Sequence, residues 1–203
     1  MVIVRFADDA VVCFEHRDDA ERFWAELRDR LARFNLEVAA EKTRLIEFGR
    51  FAAERPAARG LGKPETFRFL GFTHICGRAR SGRFKLKRIT DSKRVPSKLS
   101  ALKDGIERRQ HLPIPEQGRW LASVLRGHYQ YYSVPDNSKA LHAFRRQAEW
   151  HWYRALRRRS QRTTITWEQM SRLAARWLPP PRIRRPWPEQ RFHAYTQGRS
   201  PVR

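Results

Sequence analysis

Cysteine is scarce in this chain. Its 203 residues include two cysteines, Cys13 and Cys76. A disulfide framework, or a zinc site with four closely spaced ligands, requires more than this. Both cysteines lie inside predicted strands, and we interpret both as core residues.

Long apolar runs are also missing. The sequence has no run of 18 or more apolar residues and no signal-peptide segment near Met1, so we expect no membrane partner and a cytoplasmic location. Hydrophobic residues still make up 40% of the chain and aromatic residues 12%. This is enough apolar material for a folded core.

Acidic residues are rare in the second part of the chain. Residues 1–76 contain 13 Lys/Arg and 13 Asp/Glu, which leaves 30 basic and 8 acidic residues, and the whole net charge of +22, to residues 77–203. Such a charge predicts a polyanionic partner, with nucleic acid first. Six of the seven tryptophans lie there too. Basic and aromatic residues alternate in this way in proteins that bind RNA, although core positions remain the alternative for most of these tryptophans.

The chain opens with a pair of adjacent carboxylates, Asp8 and Asp9, between two apolar runs, Val2-Ile3-Val4 and Val11-Val12-Cys13-Phe14. This pattern predicts a β-hairpin with the Asp pair at its turn. Two adjacent acids can ligate hard divalent cations such as Mg²⁺. A plain turn is the alternative, because Asp favours turns by hydrogen bonding to its own backbone.

An amphipathic helix is predicted next, over about residues 18–34. Asp18 and Glu21 have the spacing of a capping box, and apolar residues from Ala20 to Phe34 recur at helical intervals. Residues 36–38 and 43–48 are predicted to be short strands, joined by a turn at residues 40–42. This order of elements predicts a helix packed on one face of a sheet.

The middle of the chain predicts two further strand segments. Residues 67–73 alternate around Gly71, which indicates either a strand bend or a close approach of the backbone to a ligand. Residues 83–89 alternate basic and apolar side chains, as in a strand with one wet, cationic face.

From Ser97 onward the apolar spacing is helical. It predicts three successive helices and a short fourth one over residues 167–177. The third helix carries most of the clustered arginines, and we interpret them as an RNA-binding face rather than a merely solvated one. These candidate RNA-binding residues are Arg145, Arg146, Arg154, Arg157, Arg158 and Arg159. The Pro- and Arg-rich tail, residues 179–203, is expected to be extended and to order on a partner.

Four landmarks, taken in order, resemble the C-terminal part of a bacterial group II intron reverse transcriptase and maturase. Arg5-Phe6-Ala7-Asp8-Asp9 resembles the Tyr-Ala-Asp-Asp motif of the palm, and Glu41-Lys42-Thr43 resembles its lysine-bearing turn. Phe69-Leu70-Gly71-Phe72 resembles the primer-grip hairpin. Gly127-His128-Tyr129-Gln130-Tyr131-Tyr132 and the basic helices after it resemble the thumb or maturase-specific region. The likeness extends over essentially all 203 residues.

The resemblance implies roles for these residues. Asp8 and Asp9 would ligate catalytic Mg²⁺, Lys42 would lie near the incoming triphosphate, and Phe69, Leu70, Gly71 and Phe72 would position the primer strand. The implied partners are structured intron RNA and an RNA template with its DNA primer.

The chain departs from the family pattern in two respects. Phe6 occupies the place of the usual Tyr, which removes a hydroxyl but keeps the ring. Only five residues precede Phe6, so the family's fingers and the early palm strand with a further metal-binding Asp are expected to be absent, or supplied by a separately encoded N-terminal half. We therefore expect this polypeptide alone not to polymerise.

The expected fold class is α+β. Residues 1–91 would form a partial palm, an antiparallel sheet plus a helix that includes the primer-grip hairpin. Residues 92–178 would form an all-α thumb or maturase domain, followed by the extended basic tail. The expected function is that of an intron-encoded RNA-directed DNA polymerase and maturase. A non-catalytic, splicing-assisting RNA-binding module is the alternative.

Overall fold

The computed structural model describes residues 1–52, 64–79, 81–159 and 165–187. The chain forms two compact units. One contains Met1–Phe69 and Cys76–Lys85, and the other contains Leu70–Ile75 and the chain from Leu86 onward. The mixed α+β class predicted from the sequence is confirmed, with two small antiparallel sheets and a set of helices.

The first unit opens with the predicted hairpin. Strands β1 (Val2–Phe6) and β2 (Asp9–Cys13) pair antiparallel, with Phe6 opposite Asp9. Two residues, Ala7 and Asp8, form the turn, and Ala7 has a left-handed φ of 52°. The apolar residues of β1 stay largely exposed to solvent; Phe6, for example, is 63% exposed. The hairpin therefore forms through its ladder rather than through burial of a face.

Helix α1 spans Arg17–Ala32, close to the predicted bounds. The proposed capping box is wrong: His16 is the N-cap residue, no side chain caps the helix, and Asp18 lies inside the first turn. The acids of that turn still act favourably on the helix dipole. Phe23 of α1 contacts Phe14, with ring centroids 5.3 Å apart.

The two short strands predicted after α1 are not formed. Residues 36–38 and 43–48 have no regular structure, although the turn between them is present at residues 40–42. Strand propensity depends on a neighbouring strand to pair with and pack against. Within the described residues, the β1–β2 sheet has only its two strands.

The second sheet has the order β3-β4-β5, formed by Thr66–Phe69, Phe72–Arg78 and Phe84–Thr90. The predicted bend around Gly71 is a tight turn: Leu70 and Gly71 both have positive φ, 48° and 74°. Two successive left-handed residues are typical of a type I′ hairpin turn, whose twist matches that of paired strands.

Both cysteines were predicted to be core residues, and neither is fully buried. Cys13, in β2, is exposed, so its interpretation as a core residue is wrong. It lies at the end of a hairpin whose strand residues are exposed or, at Val11 and Val12, half-buried. Cys76, in β4, is half-buried, and its sulfur accepts a hydrogen bond from the backbone N–H of Gly49 at 3.4 Å.

The second unit is mainly helical, as predicted. After a 3₁₀ turn at Ser92–Arg94, four helices follow: α2 (Val95–Glu107), α3 (Ile114–Tyr132), α4 (Ser138–Arg158) and α5 (Trp167–Trp177). The fourth has the bounds that the apolar spacing predicted. Among the described residues, no helix is long and apolar enough to cross a membrane.

These helices enclose one hydrophobic core. Trp152 at its centre is fully buried and donates its indole N–H to Oε1 of Gln117 at 2.8 Å. The other large members are Leu102, Ile106, Leu121, Leu125, Tyr129, Tyr132, Leu141, Phe144, Met170 and Leu178. The buried Asn137 connects this core to β5, because its Oδ1 accepts from the N–H of Thr90 and its Nδ2 donates to the carbonyl of Tyr132.

The beginning of the tail, residues 179–187, has no helix or strand, and it docks on this unit instead of waiting for a partner as expected. Leu178 is buried, the hydroxyl of Tyr129 donates to the carbonyl of Pro179, and the backbone N–H of Arg184 donates to the carbonyl of Ser133. Residues 188–203, the rest of the predicted tail, lie outside the described residues.

Two glycines of α3 provide a test of this packing. A Cβ on Gly118 would lie 2.6 Å from the Trp177 ring, whereas a Cβ on Gly127 would have no neighbour within 4 Å. Alanine stabilises a helix over glycine by about 0.5–1 kcal/mol, but overpacking costs about 1–3 kcal/mol. We expect Gly118→Ala to lower the free energy of unfolding and Gly127→Ala to raise it, as measured by urea denaturation. Stabilisation by both variants would contradict this packing.

Arg145 provides a second test, because it packs α4 against the end of α5. Its side chain is 22% exposed, pairs with the buried Glu149 at 3.6 Å, and donates to the carbonyls of Ala174 and Leu178. Arg145→Ala leaves these acceptors without their donor, at a cost of about 1–3 kcal/mol. The exposed Arg157 on the same helix is the control, and Arg157→Ala should cost no more than about 1 kcal/mol. Equal urea denaturation curves for the two variants would refute this role.

Candidate functional site

The carboxylate pair is at the tip of the β1–β2 hairpin. Asp8 is the second turn residue and Asp9 the first residue of β2, and both are exposed. Successive residues of a regular strand point to opposite faces, so the turn is what allows both carboxylates to stand at one end of the hairpin. The Nε–H of Arg5 donates to the carbonyl of Ala7 at 2.9 Å and braces this turn.

The pair is only part of a metal site. Carboxylate oxygens are the donors that Mg²⁺ prefers. No group of three or more His, Cys, Asp or Glu side chains in the described ranges is placed to hold a metal ion. The residues present therefore do not by themselves form the shell of a two-metal centre. Two neighbouring carboxylates with no cation between them also repel each other when both are ionised.

Lys42 lies in the exposed turn at residues 40–42, where its backbone N–H donates to the carbonyl of Ala39. Among the residues that the structure describes, no side-chain contact gives its ammonium group a chemical role. Its place near a triphosphate remains a prediction.

The structure brings two landmarks of the sequence together in the second unit. The turn residues Leu70 and Gly71 lie against Tyr131 and Tyr132 of α3. Tyr131 donates its hydroxyl to the carbonyl of Leu70 at 2.8 Å, and a Cβ on Gly71 would lie 3.0 Å from the Tyr132 hydroxyl. Phe72 stacks on Tyr131 with ring centroids 5.7 Å apart. The turn is thus held rigidly from one side by the tyrosines.

The tyrosine pair rests on a further aromatic stack. The ring of His128 lies between Phe144 and Tyr132, with centroid distances of 3.8 Å and 4.7 Å. Burial, together with the ammonium of Lys98, lowers the pKa of His128 to about 4, so the imidazole is neutral at physiological pH. This part of the 127–132 segment has a structural role.

The six candidate arginines on and after α4 separate into different groups. Arg145 is engaged in packing, and Arg159 donates to the carbonyls of Leu112 and His111. Arg146, Arg154, Arg157 and Arg158 are exposed. The side chains of Arg154 and Arg158 line a cleft of about 280 Å³ together with Lys103 and His151.

The cleft between α2 and α4 is cationic. Burial lowers the pKa of His151, and the positive charges of Arg154 and Lys103 lower it further. The acid of this cleft, Glu107, lies 3.8 Å from Lys103 and 3.9 Å from Arg158. Basic side chains still outnumber the acid in this cleft, and such an excess of positive charge favours contact with a phosphate backbone.

One surface feature, the pair of exposed tryptophans Trp150 and Trp167, was not predicted from the sequence. Of the tryptophans after residue 77, Trp152 is buried, but Trp150 and Trp167 are about half exposed. The sequence did contain a signal for this feature, because residues 146, 150, 153 and 157 have helical spacing and therefore share one face of α4.

Comparisons with known proteins show a likeness to one family in the first part of the chain. Residues 1–74 match the family model of the reverse transcriptase, an RNA-dependent DNA polymerase. Searches of the curated proteins and of the solved structures gave no match. Residues 1–74, which contain the Asp8–Asp9 hairpin, are thus similar to reverse transcriptases.

Proposed function

We propose that the chain is part of a group II intron RNA-directed DNA polymerase and maturase, which binds intron RNA and assists splicing and mobility. The observation that supports this proposal is the family match over residues 1–74. Within that segment, Asp8 and Asp9 lie at an exposed hairpin tip. In this proposal residues 1–91 are the palm portion, residues 92–178 the thumb or maturase portion, and residues 179–203 a basic tail.

The polymerase chemistry would depend on Asp8 and Asp9 as Mg²⁺ ligands. Since the described residues offer these two carboxylates without a third ligand, we infer that a further carboxylate must come from another segment or another polypeptide. The chain alone is then inactive. Lys42 would act near the triphosphate, and the rigid turn at Leu70 and Gly71, with Phe69 and Phe72 on either side, would support the primer.

The helical unit would hold the RNA. Residues 77–203 carry the whole net charge of +22, and the exposed arginines of α4 present part of it to solvent. Phosphate contacts by Lys and Arg provide affinity without reading sequence. This charge also favours a second candidate function, a splicing-assisting RNA-binding module without catalysis.

Primer extension tests the metal-ligand role. On an RNA template with Mg²⁺, we expect no extension by the chain alone and extension after addition of a fingers and early-palm fragment from a reverse transcriptase. Asp8→Asn should then reduce extension by more than about 100-fold, because even partners of metal ligands contribute about 10–100-fold. Asp29→Asn, an exposed acid of α1, is the control.

Two results would count against this assignment. Extension by Asp8→Asn at the control rate would exclude Asp8 as a ligand. No extension in any mixture, combined with intact RNA binding, would favour the non-catalytic module.

Salt-dependent RNA binding tests the helical unit separately. Neutralising Arg154, Arg157 and Arg158 to Gln should weaken binding and reduce the slope of log K against log salt by roughly 2–3, because each lost phosphate contact contributes about 0.7–0.9. Neutralising Arg28 and Arg30 of α1 together with Arg33, the residue directly after it, removes the same charge and should have a smaller effect. Equal losses in the two triple variants, or equal affinity for heparin, would refute an RNA-binding face on α4.

A further inference from the structure

Three aromatic rings form a cluster on the surface of the helical unit. Tyr153 of α4 lies between Trp150, one turn earlier, and Trp167, the first residue of α5. The ring centroids are 5.8 Å apart for Trp150 and Tyr153, 5.2 Å for Tyr153 and Trp167, and 6.4 Å for the two tryptophans. These contacts hold the rings in a fixed arrangement across two helices.

The cluster is open to solvent. Trp150 is 46% exposed and Trp167 is 49% exposed. Large aromatic side chains dominate the energetics of cores and interfaces because they remove a large apolar area from water. Two half-exposed indoles in contact with each other are therefore an unusual apolar surface on a strongly charged helix.

Positive charge flanks this cluster. Arg146 and Arg157 share the face of α4 that carries Trp150 and Tyr153, at intervals of four, three and four residues. The guanidinium of Arg157 lies 5.7 Å from the centroid of the Tyr153 ring.

The acids near the cluster are already paired. Glu149, next to Trp150, is buried and pairs with Arg145, and Glu168, next to Trp167, pairs with Arg172. The immediate surroundings of the rings are therefore cationic, and an anionic ligand fits them best.

Apolar rings between arginines match the chemistry of an unpaired stretch of nucleic acid. Bases stack on aromatic side chains while phosphates contact the flanking cations, and this recognition requires bases that are not already paired. A duplex could use the arginines but not the rings. A purely apolar protein partner would leave Arg146 and Arg157 desolvated without counter-charge.

We propose that Trp150, Tyr153 and Trp167 form a stacking platform for unpaired bases of RNA, with Arg146 and Arg157 on the flanking phosphates. The proposal rests on RNA binding by the helical unit and specifies which RNA the unit prefers. Single-stranded segments are selected by the rings, and the arginine cleft between α2 and α4 contributes affinity for either form.

Binding of the full chain to a 12-nucleotide single strand and to a duplex of the same length tests the platform. Trp150→Ala and Trp167→Ala should each weaken single-strand binding by at least about 5-fold, since one stacked base contributes about 1–3 kcal/mol, and should leave duplex binding unchanged. The salt slope should also stay unchanged, because stacking releases no counterions. Trp150→Phe should retain most of the affinity, and Trp187→Ala, an exposed tryptophan outside the cluster, is the control.

The outcomes separate the platform from RNA binding itself. Unchanged single-strand affinity in both alanine variants would overturn the platform and leave the proposed RNA binding intact, whereas no RNA binding by the wild-type chain would refute both. Equal losses of affinity for the single strand and for the duplex would also overturn the platform. So would conversion of a dimer to a monomer by the alanine variants in sedimentation, which would assign the rings to packing between copies of the chain. If an alanine variant unfolds, Trp150→Phe decides by the fluorescence quenching that it removes. Weaker quenching by the single strand than in the wild-type chain, with quenching by the duplex unchanged, supports the platform, and unchanged quenching by both contradicts it.

Discussion

The hydrogen bond from the Trp152 indole to Gln117 lies at the centre of the packing that orients α4. Both side chains are buried, and the amide of Gln117 continues the chain of hydrogen bonds by donating to the carbonyl of Leu112 at 2.8 Å. An unmade buried hydrogen bond costs about 1–3 kcal/mol, so this pair, together with the other buried residues of α4, keeps one face of the helix inward. With Trp152 inward, Trp150, Arg146 and Arg157 necessarily face solvent.

The same orientation gives α4 two outward faces of different chemistry. One carries the aromatic cluster with its two flanking arginines, and the other contributes Arg154 and Arg158 to the cleft shared with α2. Arg145 lies on the inward side of α4, where it donates to the carbonyls of Ala174 and Leu178 at the end of α5. Charge alone did not distinguish Arg145 from Arg146 in the sequence, but helical spacing does, because Arg145 lies four residues after Leu141 and seven before Trp152, both of which are buried.

Local patterns predicted the helices well and the strands less well. Helix α5 has its predicted bounds because a helix is formed by residues that are close in sequence, and their apolar spacing is visible in the sequence. Its capping box of Thr166 and Gln169 was not predicted. Residues 36–38 and 43–48 look like strands but form none, because pairing depends on a partner remote in sequence. The hairpin was predicted correctly, with Asp8 in its turn and Asp9 at the start of β2, yet a turn does not reveal which distant carboxylates complete a metal shell.

We propose that the face of α4 that carries Trp150 and Tyr153 holds RNA, and that residues 1–74 would contribute chemistry. Crosslinking the intact chain to photoreactive RNA and mapping the modified residues by mass spectrometry tests this most directly. We expect crosslinks concentrated in residues 146–167, on Trp150, Tyr153, Trp167 and their neighbours. Crosslinks confined to residues 1–52, with none on α4, would contradict it.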